Sequence, residues 1–431
     1  MKLELCNFQV TTAGFGSATR WRDGNLEINQ DELLRLVRSD PLVADAGVEL
    51  ALPGDSARIA HHIDIIEPRV KVRGEGITYP GVYRRSGALV GSGRTHRLGG
   101  ATVIVMAPPH AMMGYATGLR SPNRTGGRAS NFIDMSGSGA DSPYSATHNV
   151  CVTVEPQAQL DADEAMAVIQ TAQLRVSDYL AGTTVDQAPP EIEVFDLEPR
   201  PGIPGIVWVN SILAPEAQNG NPYSPRGAAV YGVTRLTQPW LLSPTEVLDG
   251  AVFGNAGGVF PTWPLTNTIV LEMCRRHGVE FNFLGCIMVR TMWEEQWQKE
   301  LIGNHTAFLA KAIGAEGAII SPNWRGQRFL DTILVLQSCE RAGLKTVLIT
   351  EEEDNEDGTA PPLLTAAPEL VAVVSSGTGS SFGPYPAVKR VLGVFDDLDY
   401  WRGEIEAPEG RYGVSHLNDT YGFSRLTCKE Y

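Results

Sequence analysis

The chain has 431 residues, 43% hydrophobic and 20% charged, the composition of a globular protein with room for two or three cores. Fifty acidic against 35 basic side chains leave a net charge of −15, which excludes a phosphate-backbone partner such as nucleic acid. No apolar run approaches the ~18 residues that cross a bilayer, and no secretory leader pattern opens the chain, so a cytoplasmic protein without membrane contact is expected.

Asn29-Gln-Asp-Glu-Leu-Leu-Arg-Leu-Val37 is amphipathic with a polar start and predicts a short helix. Strand-like runs follow at 59–66, 70–72, 101–106 and 150–154. Residues 107–131, rich in Pro, Gly, Asn, Ser and Arg, read as a long surface excursion. Residues 161–180 open on Asp161 and space their apolar residues by three and four, which predicts a helix. Five prolines between 186 and 205 read as a linker. Beyond it, strands at 207–213, 251–253, 281–289, 318–321, 346–350 and 370–375 alternate with helices at 292–313 and 329–342. Repeated βαβ units imply a parallel, helix-covered sheet. The expected class is α/β: a mixed domain at 1–200, a Rossmann-like parallel-sheet domain at 201–394, and a tail at 395–431 suited to wrapping a partner.

Several motifs carry chemistry. Val90-Gly-Ser-Gly-Arg-Thr-His96 sets Ser92, Arg94 and His96 in a flexible frame. A guanidinium there forks onto a substrate carboxylate, with Ser92 beside it. An imidazole titrating near neutrality serves as acid or base. The alternative is an arginine–acid pair joining two layers, and Glu67 with Arg69 reads as such a pair. Asp134-Met-Ser-Gly-Ser-Gly-Ala140 offers Asp134 and Ser136 as substrate contacts, or Asp134 as the cap of a turn. The Gly/Ser loops at 321–326 and 375–383 follow strands and read either as anion cradles or as turns that need glycine. His61, His62 and His148 raise a divalent metal such as zinc. Adjacent strand residues face opposite sides, so only one of His61 and His62 can join His148 or His96. The six cysteines are scattered without a CxxC pair, which predicts reduced, buried thiols.

Ordered blocks along the chain carry a family resemblance. They include Pro53-Gly-Asp-Ser-Ala-Arg-Ile59, Ile66-Glu-Pro-Arg-Val-Lys-Val72, Val90–His96, Ile133–Ala140, Arg276-His-Gly278, Asn282-Phe-Leu-Gly285 and Lys345-Thr-Val-Leu-Ile-Thr350. Ser243-Pro-Thr-Glu-Val-Leu-Asp-Gly-Ala-Val-Phe-Gly-Asn255-Ala256 is the most telling. Together they resemble the substrate-binding subunit precursor of glycine/sarcosine/betaine reductase component B.

In that family a cysteine follows the Asn. Its thiol breaks the chain and its remnant becomes a pyruvoyl group that captures the substrate amine. Ala256 has no nucleophile, so the resemblance implies a chain that stays whole and carries no pyruvoyl. It further implies a heteromeric enzyme in which this subunit and a second reductase-type subunit cleave a C–N bond of a small amine, amide or amino-acid derivative. Thr245, Glu246, Asp249 and Asn255 would then either shape a turn or remain as a pocket, with Glu246, Asp249 and Asn255 in acid/base work beside His96 and Thr245 holding substrate. The alternatives are a metal-dependent hydrolase or lyase subunit working non-reductively, and a non-catalytic scaffold.

Overall fold

The computed structural model describes residues 1–60, 62–80, 87–108, 132–136, 142–213, 229–233, 238–253, 262–263, 269–291, 295–322, 327–352, 363–378, 384–393, 398–405 and 427–428. Among them the protein is α/β, with several mixed sheets. No helix among the described residues is long and apolar enough to cross a membrane.

The largest sheet has seven strands in the order Trp240–Leu242, Asn282–Thr291, Gly205–Leu213, Gly317–Ser321, Lys345–Glu352, Val373–Thr378 and Thr427–Cys428. Its five inner strands are parallel, and the two outermost run antiparallel to their neighbours. Strand alternation divides its two faces. Val207, Val209, Ile287 and Ile320 face the helices Gln296–Ala312 and Gln327–Arg341 through Ala307, Ala310, Ile333 and Leu336. Trp208, Cys286 and Met288 face the other way, onto helix Ile269–Arg276, the short helix Pro244–Leu248 and the N-terminal strand Lys2–Asn7.

That strand lies in a second sheet, ordered Glu191–Asp196, Lys2–Asn7, Gly93–Arg97, Arg69–Arg73. Leu3 and Leu5 pack toward the seven-stranded sheet, while Cys6, with Phe8 just beyond the strand, packs into the first-half core. The first-half core is closed by helix Ala162–Gly182 over the sheet Val43–Ala51, His148–Pro156, Ala101–Met106, His62–Ile66. Asp161 caps this helix as the sequence predicts. Its carboxylate accepts from Glu164 N–H while the Glu164 side chain accepts from Asp161 N–H.

Two expectations are corrected. The run 59–66 is not one strand: Ala57–Ala60 pairs with Phe132–Asp134 and Arg390–Leu392, whereas His62–Ile66 pairs with Ala101–Met106. The proline-rich stretch contains the strand Glu191–Asp196, antiparallel to Lys2–Asn7, because its prolines flank the alternating segment without entering it.

The chain also returns on itself. Tyr385, Trp401 and Ile405 join Ala60 and Phe132 in one small core, and Leu392 joins another with Ile59 and Ile104. The excursion 109–131, most of the loops 321–326 and 375–383, and residues 406–426 lie outside the described residues.

Candidate functional site

The short helix Pro244–Leu248 is buried along its whole length between the seven-stranded sheet and the N-terminal sheet. Ser243 is its N-cap, and Glu246 reaches back to accept the Ser243 N–H at 2.6 Å. The second Glu246 oxygen accepts the Tyr231 hydroxyl at 2.6 Å. Tyr231 O–H also accepts the Val90 N–H at 3.0 Å. Tyr231 holds a left-handed backbone, φ 52°, which is costly for an aromatic residue and persists only where its surroundings over-determine it. Burial first, and then the Glu246 hydrogen bond, push its phenol well above its usual pKa. Thr245 packs its hydroxyl 2.9 Å from that of Ser243.

Asp249 ends the helix with no exposure. Its carboxylate accepts the Thr95 hydroxyl at 2.6 Å, the Gly91 N–H at 2.8 Å and the Lys71 ammonium. Lys71 also donates to the Ser92 carbonyl at 3.0 Å. Lys71 and Thr95 are cross-strand neighbours, which is why both reach the same carboxylate. Arg69, two residues back on the same face, pairs with Glu67 at 2.8 Å and donates to the Leu248 carbonyl. Tyr79 donates to the Glu67 carbonyl at 2.7 Å. The Glu67–Arg69 pair read from the sequence thus forms, and it buttresses the Asp249 turn.

Glycines let these layers close. A Cβ on Gly91 would lie 2.6 Å from the Glu246 backbone nitrogen. One on Gly250, at φ +88°, would lie 2.8 Å from the Tyr79 backbone.

The structure therefore gathers Thr245, Glu246 and Asp249 in one buried cluster, with half-buried Ser92 reaching it only through its carbonyl and Lys71. Arg94 and His96 are not aimed into it. In a strand alternate residues face opposite sides, and Thr95 takes the side toward Asp249. Arg94 instead lies beside Glu4, its register partner, and pairs with it at 2.7 Å. His96 is buried against Phe8, ring centroids 4.8 Å apart, with Nδ1 3.1 Å from the Thr184 carbonyl oxygen. Burial pushes its pKa below the usual imidazole value.

Asp134 ends a strand of another sheet, and Ser136 lies just beyond it. Asp134 is fully buried, pairs with Arg58 at 2.9 Å and caps the Ser136 N–H at 2.8 Å. Asn255 and Ala256 lie outside the described residues.

His62 and His148 sit opposite Met106 and Ala101, at the two ends of strand Ala101–Met106. Five residues of strand separate those positions, about 16 Å, and His61 lies outside the described residues. Among the described residues no three His, Cys, Asp or Glu side chains converge as a metal site. The described histidines do not fit a zinc centre.

His62 shares its buried strand with Asp64, whose carboxylate accepts the Thr262 N–H at 2.8 Å and the Thr262 hydroxyl at 3.1 Å. Burial lowers His62 to about 3 and raises Asp64 to about 7. The two groups oppose each other in acid. His62, depressed from 6.5, contributes stability that is lost as pH falls below about 6.5 toward 3. Asp64, raised from 3.8, contributes stability that is present in acid and lost as pH rises from about 4 to 7. Asp64→Asn keeps the shape and removes the second linkage. Urea unfolding should show the stability difference, variant minus wild type, growing in favour of the variant by about 3 kcal/mol between pH 4.5 and 8. A difference flat across that range would mean Asp64 titrates as an ordinary carboxylate.

Sequence reading missed Lys71, Thr95 and Tyr231. A lysine in the run Val70-Lys-Val72 was the available signal, since a charge inside a strand needs a partner. The five described cysteine side chains are free thiols. All are buried, and burial pushes Cys286, which feels the charge of Glu246, well above its usual pKa.

Comparison with known proteins agrees with this frame. Residues 1–415 match the family model described as glycine/sarcosine/betaine reductase component B subunits. Sarcosine reductase complex component B subunit alpha of Peptoclostridium acidaminophilum is 31% identical over 93% of this chain and 91% of its own. Betaine reductase complex component B subunit alpha of the same organism is 32% identical over 92% and 89%. Glycine reductase complex component B subunits alpha and beta of Acetoanaerobium sticklandii are 30% identical over 100% of both chains. No solved structure matches significantly. The chain therefore belongs to the glycine/sarcosine/betaine reductase component B subunit family.

Proposed function

We propose that this chain is an unprocessed component-B-type subunit of a heteromeric enzyme. It binds a small amine, amide or amino-acid derivative for C–N cleavage with a second reductase-type subunit. The observation that carries the reading is a mismatch. The turn Ser243–Asp249 keeps a fully engaged frame through Glu246 and Asp249, yet Ala256, further along the chain, has no atom that can attack the chain or leave a keto-acyl group. Substrate is then held without a pyruvoyl carbonyl, by hydrogen bonds and charge. Thr245, Glu246 and Asp249 on that turn, Ser92 across from it and Asn255 later in the sequence are the residues this reading assigns to substrate. Arg94, already bound by Glu4, takes a substrate carboxylate only by exchanging partners.

The named relatives are components of reductase complexes. None is named as a hydrolase or lyase, so reductive chemistry leads.

One observation favours the scaffold as second reading. The buried carboxylates of Glu246 and Asp249 already carry the donors that an active acid or base would have to release. Co-expression with a second-subunit homologue and tandem purification separates the readings. A stable complex whose turnover with a panel of N-methylated amino acids falls about 100-fold in Glu246→Gln supports the enzyme subunit. A complex with turnover unchanged in that variant supports the scaffold. Failure of the two chains to associate contradicts both.

A further inference from the structure

Helix Gln296–Ala312 covers the seven-stranded sheet with one face: Thr306, Ala307 and Ala310 are buried, and a Cβ on Gly303 would meet Leu334 and Ser338. Its opposite face exposes Gln296, Glu300 and His305, but also three large apolar side chains. Trp297 is 58% exposed, Leu301 49% and Phe308 70%. With exposed Asn304 they stand at i, i+4, i+7 and i+11, the alternating four-and-three spacing of a coiled-coil seam. Eleven residues span about 16 Å of helix.

We propose that this seam is covered by the same helix of a second copy of the chain, packed antiparallel about a two-fold axis between residues 302 and 303. Two antiparallel copies bring together positions whose numbers sum to about 605. Trp297 then meets Phe308 of the partner subunit at both ends, an aromatic pair. Near the axis Leu301 of each copy lies opposite Asn304 of the partner subunit.

Charge agrees with this direction. Exposed Lys311 follows the seam one turn beyond Phe308, toward the partner helix's start. There Glu295 already holds its carboxylate against Trp297, accepting the indole N–H at 2.6 Å. A parallel pair would set Lys311 against the partner's Lys311. The face is isologous, as a two-fold contact requires.

At their exposures the two aromatics offer on the order of 250 Å² per copy. The pair therefore buries well under the ~1,200 Å² of a standard stable interface unless flanking residues join, and the dimer should be reversible.

Sedimentation velocity on the full chain across about 1–200 µM tests it. A monomer–dimer equilibrium is expected for wild type. Phe308→Asp should shift it at least tenfold toward monomer while leaving the circular dichroism spectrum unchanged. Direction is read by cross-linking: the double variant W297C/F308C should form an intermolecular disulfide under mild oxidation, and W297C alone should not. A chain monomeric throughout that range overturns the inference, as does a dimer indifferent to Phe308→Asp. So does a seam whose disruption acts only on binding of the second reductase-type subunit.

Discussion

Asp249→Ala should cost about 3–5 kcal/mol, the loss expected when one partner of a buried ion pair is removed. The variant leaves the Lys71 ammonium, 7% exposed, without its carboxylate. It also strips the acceptor from the Thr95 hydroxyl and the Gly91 N–H, each a buried donor whose orphaning adds about 1–3 kcal/mol if water cannot reach it. Asp249→Asn keeps an acceptor for these donors and removes only the charge, so it should fall between. Combining Lys71→Met with Asp249→Asn should recover part of the loss, because no unpaired charge then remains. Urea denaturation at pH 7 measures all three. A loss below about 1 kcal/mol for Asp249→Ala would mean that the turn is not held as described.

Arg58→Ala should be as severe and should act far away in sequence. Arg58 has no exposure and lies over the Phe132 ring. Its guanidinium donates to Asp134 at 2.9 Å, to the Pro386 and Trp401 carbonyls at 2.7 Å each, and to the Gly403 carbonyl at 3.0 Å. One side chain thus ties residues 386–403 to the first half of the chain, beside the strand pairing of Arg390–Leu392 with Ala57–Ala60. Its removal strands a buried carboxylate and three carbonyls, again about 3–5 kcal/mol. Limited proteolysis should then cut between residues 384 and 405 while the rest resists. Arg58→Lys should rescue little, since one ammonium cannot reproduce a planar fork with four acceptors. Protease resistance unchanged in Arg58→Ala would contradict this account.

Local pattern was legible and long-range pairing was not. Asp161 with Glu164 announced the helix Ala162–Gly182, and the apolar run 101–106 announced its strand, because both signals lie within a few residues. The parallel sheet followed from alternating strands and helices. The split of 59–66 was invisible, since it depends on partners at 101–106, 132–134 and 390–392. The site followed the same division. The turn Ser243–Asp249 stood out in sequence, and Glu67–Arg69 was read as a pair. Yet the choice of Thr95 over Arg94 and His96 rests on which face of a strand meets Asp249, and a one-residue shift of register reverses it. Asp134 stood out as a Gly/Ser-loop acid; its buried partner Arg58, 76 positions earlier, comes only with the fold.

The central claim is the loss of self-processing at Ala256, and intact-mass spectrometry of the purified chain tests it most directly. The account predicts one species near 46.6 kDa with no mass added by hydroxylamine. Two fragments meeting between Asn255 and Ala256, or any hydroxylamine-reactive keto-acyl terminus, would contradict it.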